Sequence, residues 1–460
     1  MLTDNLGRVV KVPTNEVPKE LRPPADIGVE GQIPTPTKGA SIPSEVEERA
    51  QKTREKTGAF ELFPSTPPRL MPYLASNDEF GNTAIRPGAL ILNTPLDTIV
   101  QGAKYRLSEI GLRYSLQQTA TFVTMSDVMQ GDNTLGFYSA KLAAKWAVFD
   151  ARDSGAAGWL SMQINAQTGL GSAGDHQDAQ TNLGTTTDPT SLWSSHDGWR
   201  IPELGWQQSF DDGHWVVVAG VVNQSNYLDG NSYANTARGQ FLNSALVNSM
   251  VMPLAQYNFG VNLQWQPTDE WYGMVGSSMG NASAGEMPWT DFSSDFWSAV
   301  GEIGYAPRDL LGFGPGIYRI QPFIAQDGGP TQGGLCFNLQ QQLGHDSPFG
   351  WYGRFGFGGS HVTDGAKTQI GTGFVWQGPF KHVLLQRFSN DYLGVGFVWS
   401  QPSATTAAVI HEDEYVIEIT YVIQLTPLAK LQPDLQIVQN PTFNQSDGAV
   451  VGQLQLNFIW

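Results

Sequence analysis

From Leu112 onward the chain repeats a two-residue period, apolar against polar, in one segment after another. Side chains in a strand point alternately to opposite faces, so each such segment carries one apolar wall and one hydrophilic wall. Leu112, Tyr114, Leu116, Ala120 and Phe122 oppose Arg113, Ser115, Gln117, Thr119 and Thr121. Tyr138, Leu142, Trp146 and Val148 oppose Ser139, Lys141 and Lys145, and Leu160, Met162 and Ile164 oppose Ser161, Gln163 and Asn165. The pattern returns at 258–265, 335–342 and 414–424, and helical spacing explains none of these runs. In the last one, Gly452, Leu454, Leu456, Phe458 and Trp460 oppose Gln453, Gln455 and Asn457. A strand closing on an aromatic is common in outer-membrane barrels, where it sits at the membrane interface.

Such runs number about sixteen, an even count of the kind single-chain bacterial barrels have. Their links alternate in length. Those near 152–157, 211–213, 267–269, 345–349 and 426–427 are short, those at 171–198, 226–257 and 280–296 are long and polar, and the link at 378–390 breaks the rhythm. Short periplasmic turns and long extracellular loops would produce this asymmetry. The expected fold is therefore all-β, a transmembrane antiparallel barrel of about 16 strands over residues 111–460. A Pro-rich and partly helical N-terminal extension precedes it. Within the extension, 1–93 reads as a periplasmic leader with a short helix at Ser44–Lys56, opened by the capping-box pattern Ser44-Glu45-Val46-Glu47. Residues 94–110 read as a second helix, with Thr94 as cap, Pro95 in the first turn and Leu96, Ile99 and Val100 on one face.

Composition narrows the function. No run of about 18 consecutive apolar residues is present, which excludes helical membrane spans. A formal charge of −17 argues against nucleic acid as a partner. The single cysteine, Cys336, excludes a disulfide framework and any multi-Cys metal site, and reads as an inert wall residue. The seven histidines are scattered without metal spacing, and there is no G-x-S-x-G elbow. Gly312 to Gly316 form a glycine cluster without a following helix, so neither an enzyme nor a cofactor is expected. The first residues lack the basic and apolar stretches of a secretory signal, so an outer-membrane location implies a signal removed or lying upstream.

A soluble sandwich or propeller also alternates. Against it stand the tryptophans near strand ends (Trp159, Trp199, Trp265, Trp271, Trp297, Trp351, Trp399), which suit interfacial belts, and polar faces rich in amides but sparse in charge. On the polar faces lie Arg113, Lys141, Lys145, Arg319, Arg354 and Lys430 as cations, with Glu203, Glu302, Glu418 and Asp434 as anions. An Arg or Lys facing lipid at the midplane would cost about 2–4 kcal/mol, which directs them to the lumen. Asn338, Gln340 and Gln436 complete the candidate pore lining, as amides able to meet hydroxyl-rich solutes. Each lumen charge could equally solvate the pore or pair with a neighbour. The 226–257 link is the candidate constriction, with Tyr227, Asp229, Asn231 and Arg238, or else an external loop packing on its neighbours.

Several segments resemble the carbohydrate-selective porins of the OprB family: Tyr227 to Asn235 (YLDGNSYAN) with Gln240 to Asn243 (QFLN), Asp269 to Tyr272, Glu302 to Tyr305, Arg387 to Gly396 (RFSNDYLGVG), and Leu431 to Gln436 with Asn440-Pro441. The resemblance covers roughly 95–460. It departs at Val221, where the family pattern has lysine after Gly220, so lumen chemistry is not carried over at that strand. It implies a porin through which small sugars diffuse passively into the periplasm. The alternatives are a general or ion-selective pore and, more remotely, a soluble β-rich carbohydrate-binding protein. The expected partners are permeating sugars, outer-membrane lipid and the barrel-insertion machinery, engaged through the strand ending Phe458 and Trp460. Apolar walls also permit a homo-oligomer.

Overall fold

The computed structural model describes residues 2–3, 9–10, 90–91, 95–151, 156–171, 177–192, 198–211, 214–280, 294–345, 347–359, 365–380, 391–403 and 409–460. The expected helix at Ser44–Lys56 and its capping box lie outside the described residues, as does Thr94.

Sixteen antiparallel strands close on themselves. They are β1 (Leu112–Met125), β2 (Thr134–Ala151), β3 (Ala156–Gly169), β4 (Gly198–Phe210), β5 (Trp215–Val221), β6 (Phe259–Trp265), β7 (Trp271–Met279) and β8 (Phe296–Tyr305) in the first half. The second half comprises β9 (Gly316–Asp327), β10 (Gln332–Gln342), β11 (Phe349–Gly358), β12 (Ala366–Gln377), β13 (Tyr392–Pro402), β14 (Glu414–Thr426), β15 (Ala429–Gln439) and β16 (Gly448–Ile459). Each strand pairs with its sequence neighbours, and β16 returns to β1 with Leu454 opposite Phe122 and Asn457 opposite Thr119. The seam is also tied from inside, where Thr119 Oγ1 donates to Asn457 Oδ1 at 2.7 Å and Thr121 Oγ1 to Gln455 Oε1 at 3.1 Å. Closure satisfies the backbone groups that an open sheet would leave unpaired in lipid.

The alternation turns the usual distribution of hydrophobicity inside out. Phe122, Val275, Ile303, Ile320, Phe374 and Leu454 are 46–59% exposed on the outer wall, whereas Gln117, Thr119, Arg319, Asn338, Glu418 and Gln455 are buried inside. A soluble protein rarely exposes contiguous apolar surface of this extent. Aromatic pairs ring the end that carries the chain's last residue (the near end). Trp215 stacks on Trp265 at 5.4 Å, Trp271 on Tyr305 at 4.6 Å and Phe458 on Trp460 at 6.0 Å. One expected belt member does not belong there. Trp159 shares parity with Ser161 and Gln163, points inward and is fully buried.

Near-end links are short at 152–155, 211–214, 266–270 and 427–428, but 306–315 and 378–391 are longer. At the far end 328–331 is short, and 170–197 and 222–258 are long. Helix α1 (Pro95–Glu109) leads into β1 at the near end. Within it Val100 is buried, while Leu96 and Ile99 are exposed.

Candidate functional site: the loop-filled lumen

The far-end link 222–258 folds inward. Local capping holds its turns. Asn223 receives the Ser225 N–H to start a 3-10 turn at Gln224–Asn226, and Asn243 receives the Ala245 N–H to start α3 (Ser244–Val247). The loop carries its own apolar side chains into the barrel. Phe241 lies 5.4 Å from the Tyr352 ring and 6.0 Å, edge-on, from Tyr392. These rings and Leu246 belong to one buried cluster with inward residues of β12 to β16, while Tyr227, Leu228 and Val251 join a second cluster on β7 to β10. Inward glycines make the room. A Cβ on Gly396 would come within 2.6 Å of Leu246 and 3.0 Å of Phe241, and one on Gly350 within 2.4 Å of the Tyr233 ring.

Polar latches complete the docking. Asp229, held at a positive φ of 62°, meets Arg354 of β11 at 3.1 Å, and both side chains are buried. Asn338 Nδ2 donates to Asp229 Oδ1 at 2.7 Å, and the Ser249 N–H to Asp229 Oδ2 at 2.6 Å. Asn231 Nδ2 donates to Asn338 Oδ1 at 2.7 Å, and the Ser232 N–H to Gln340 Oε1 at 2.9 Å. The Glu418 carboxylate receives the Leu242 and Asn243 N–H groups at 2.6 and 2.9 Å. Glu203 accepts from Tyr227 Oη at 2.8 Å and from Asn226 Nδ2 at 2.7 Å. Glu302 accepts from Tyr272 Oη and Gln321 Nε2, both at 2.7 Å, and lies 3.3 Å from Arg319 Nε.

A second far-end loop also enters. Its helix α2 (Ala179–Leu183) is capped by Asp178 and stopped at Gly184 in the left-handed region, and packs with Val123, Met125, Leu135 and Phe137 at the far ends of β1 and β2. Glu414 receives the Thr186 and Thr187 N–H groups at 2.8 and 3.0 Å. Gln436 Nε2 donates to the Pro189 carbonyl at 2.9 Å and to Asp434 Oδ1 at 3.2 Å. Asp188 bridges the two loops, its N–H donating to Ser244 Oγ and its carbonyl accepting the Ser244 N–H. Partial enclosure pushes the Asp188 carboxyl up to about 7, against the opposing pull of the Thr190 N–H and hydroxyl.

The structure thus places Glu203, Glu302, Arg319, Asn338, Gln340, Arg354, Glu418, Asp434 and Gln436 on the inner wall, and the four loop residues Tyr227, Asp229, Asn231 and Arg238 inside the barrel. Most of these groups bind the loops or one another. Arg113, Lys141 and Lys145 lie elsewhere. Arg113 stands opposite Lys145 across β1 and β2, and Lys141, Asn165 and Arg200 form one row across β2, β3 and β4. Arg200 Nη1 donates to Tyr257 Oη at 3.3 Å, and Arg238 Nη2 to Ser139 Oγ at 3.4 Å. Arg113, Asn165, Arg200, Asn226, Arg238 and Tyr257 all keep part of their surface exposed, whereas Lys141 and Lys145 are buried. Sequence reasoning passed over Arg200, Tyr257, Glu414, Gln369 and Gln432. Gln369 accepts the Met250 N–H at 2.7 Å, and Gln432 donates to the Gln240 carbonyl. The shared parity of Glu414 with Glu418, and of Gln432 with Gln436, was the available signal.

Residues 326–459 match the family model described as carbohydrate-selective porin, OprB family. No curated protein matches the sequence. The high-pH structure of Pseudomonas putida OprB is similar at a TM-score of 0.64 and 15% identity, covering 78% of this chain and 96% of that one. The low-pH structure of the same protein has a TM-score of 0.48 at 16% identity over the same shares. An anion-selective porin from Comamonas acidovorans has 0.47 at 11% identity, covering 76% of this chain and 99% of that one. The closed sixteen-stranded fold is that of the outer-membrane porins, and the family match covers its second half.

Proposed function

We propose that this chain conducts small neutral sugars passively across the outer membrane, along the flank between β1–β4 and the inward loop. The observation that carries this reading is the lopsided interior. Loop 222–258 packs its apolar side chains on β7–β15 and is tied to Glu203 of β4, whereas the partly exposed side chains on the other side are long and polar, three of the six cationic. A sugar must exchange its hydration shell for donors and acceptors on several sides. Lys141, Arg200 and Arg238 supply donors, Asn165 and Asn226 supply both functions, and the Tyr257 ring offers an apolar plate for a pyranose face.

Entry from the far end and exit at the near end, into the periplasm, follow from the long-loop and short-turn asymmetry. Phe458 and Trp460, stacked at the near end of β16, then supply aromatics that barrel insertion would engage. The test is conductance of the reconstituted protein in planar bilayers during titration with mono- and disaccharides. Saturable block is expected, and conductance indifferent to every sugar would overturn the assignment. A second reading, an anion-selective diffusion pore, is favoured by the excess of cations on the flank. It predicts a strong anion reversal potential without sugar block.

A further inference from the structure

Helix α1 presents an apolar stripe that the barrel does not cover. Leu96 is 45%, Ile99 64% and Ile110, just past the last turn, 65% exposed, and Ala103 lies exposed between them. Their spacing places them along one side of the helix, while Val100 and Lys104 on the adjoining side are buried.

The helix is fastened to the outside of the wall. Lys104 Nζ lies 5.8 Å from the centre of the Tyr114 ring. Trp146 Nε1 donates to the Ile110 carbonyl at 3.3 Å. Both aromatics belong to the outward rows, opposite in parity to the buried inward Ser115 and Lys145. Beside Trp146, Val148 and Phe149 are 50% and 41% exposed on the same wall. Upstream, the Leu90 and Ile91 N–H groups bond to the carbonyls of Gln424 and Leu425 at the near end of β14. Residues 90–91 thus meet the near-end rim at β14, and 104–110 meet the outer wall of β1 and β2 beside the exposed Trp146, Val148 and Phe149.

We propose that α1 is an interfacial anchor lying in the periplasmic leaflet, with Leu96, Ile99, Ala103 and Ile110 inserted at the boundary between phospholipid headgroups and acyl chains. At 15 residues it spans about 22 Å along that boundary. Helices with one apolar stripe lie in the interface plane rather than crossing it. This one is held to a barrel whose depth is already fixed, so little further ordering is needed for it to dock.

The test uses the full chain, with Cys336→Ser, refolded into phosphatidylcholine–phosphatidylglycerol vesicles and spin-labelled at Ile99→Cys or Leu96→Cys. Ile320→Cys marks the lipid-facing wall and Asp309→Cys the watery near-end turn. The ratio of oxygen to nickel-chelate accessibility at 99 and 96 should exceed that at 309 by about threefold or more and approach that at 320. A ratio equal to that at 309 overturns the proposal. So does dipolar broadening at 99, which would mean that a second copy covers the stripe, or shielding from both reagents, which would mean that the chain's own segments do. A lipid-like signal at 320 in each preparation shows that the barrel itself has folded.

Discussion

Arg354 on β11 and Asp229 on the inward loop form an ion pair buried in the barrel interior, at 3.1 Å, with the same guanidinium also reaching the Asp229 carbonyl at 2.9 Å. The pair spans wall and loop, so it is a fastening between the part of the molecule that stays and the part that closes it. Removing one partner of a buried pair leaves an uncompensated charge and typically costs about 3–5 kcal/mol. Arg354→Ala should therefore undock the centre of the loop while leaving the closed strand ladder intact. The expected readout is a larger single-channel conductance with faster amide exchange across 229–252, and unchanged conductance would refute it.

Gly396 tests the apolar side of the same docking. Its Cβ position lies against Leu246 and Phe241, so Gly396→Val must lift both. Barrel assembly, followed by heat-modifiable electrophoretic mobility, should survive. Conductance should rise and protease should gain access between 240 and 250. A variant indistinguishable from the parent protein would show that Phe241 and Leu246 do not close the lumen.

The cationic flank sets the ion preference. Arg200→Gln together with Lys141→Gln removes two charges from one row across β2–β4. The reversal potential under a potassium chloride gradient should shift toward cation preference, and sugar block should weaken by about tenfold if both groups bind hydroxyls at about 0.7 kcal/mol each. A shift in ion preference with sugar block intact would assign the two groups to electrostatics alone.

Burial of Asp188 where the two inward loops meet predicts that their contact depends on pH. Its carboxyl is raised in the folded protein to about 7, from an ordinary value near 3.8, so the folded state holds the proton more tightly. The stabilisation is complete below the ordinary value and is lost as pH rises through about 7. Exchange protection at the Ser244 and Thr190 amides should fall between pH 5 and pH 8, and Asp188→Asn should flatten that dependence. Protection that instead rises with pH would reverse the assignment.

How far the sequence was legible depended on the range of the interaction. Period-two alternation is local, so the strands, their inward rows and the inward placement of Arg319, Asn338 and Glu418 could be read along the chain. Trp159 shows the cost of reading residue type over parity. A tryptophan near a strand end suggested a belt, yet its register with Ser161 and Gln163 fixed it inside. The loop at 226–257 was recognisable as long and Asn-rich. What it touches was not, because Asp229 to Arg354 and Leu242 to Glu418 are contacts made across the lumen between distant segments. Alternation reveals which face is wet; it does not reveal that a loop has taken the place of the water. For the same reason the second loop, with Thr186 and Thr187 on Glu414, went unseen.

The inward loop leaves and rejoins the wall at partners in the sheet, since Val221 on β5 lies directly opposite Phe259 on β6. Between those two positions only the Val222 N–H to Asn258 carbonyl bond, at 3.1 Å, extends that strand ladder. A rewritten insert would therefore keep the strand register but would have to supply new partners for Arg354, Glu418 and Glu203, whose buried charges this loop now satisfies.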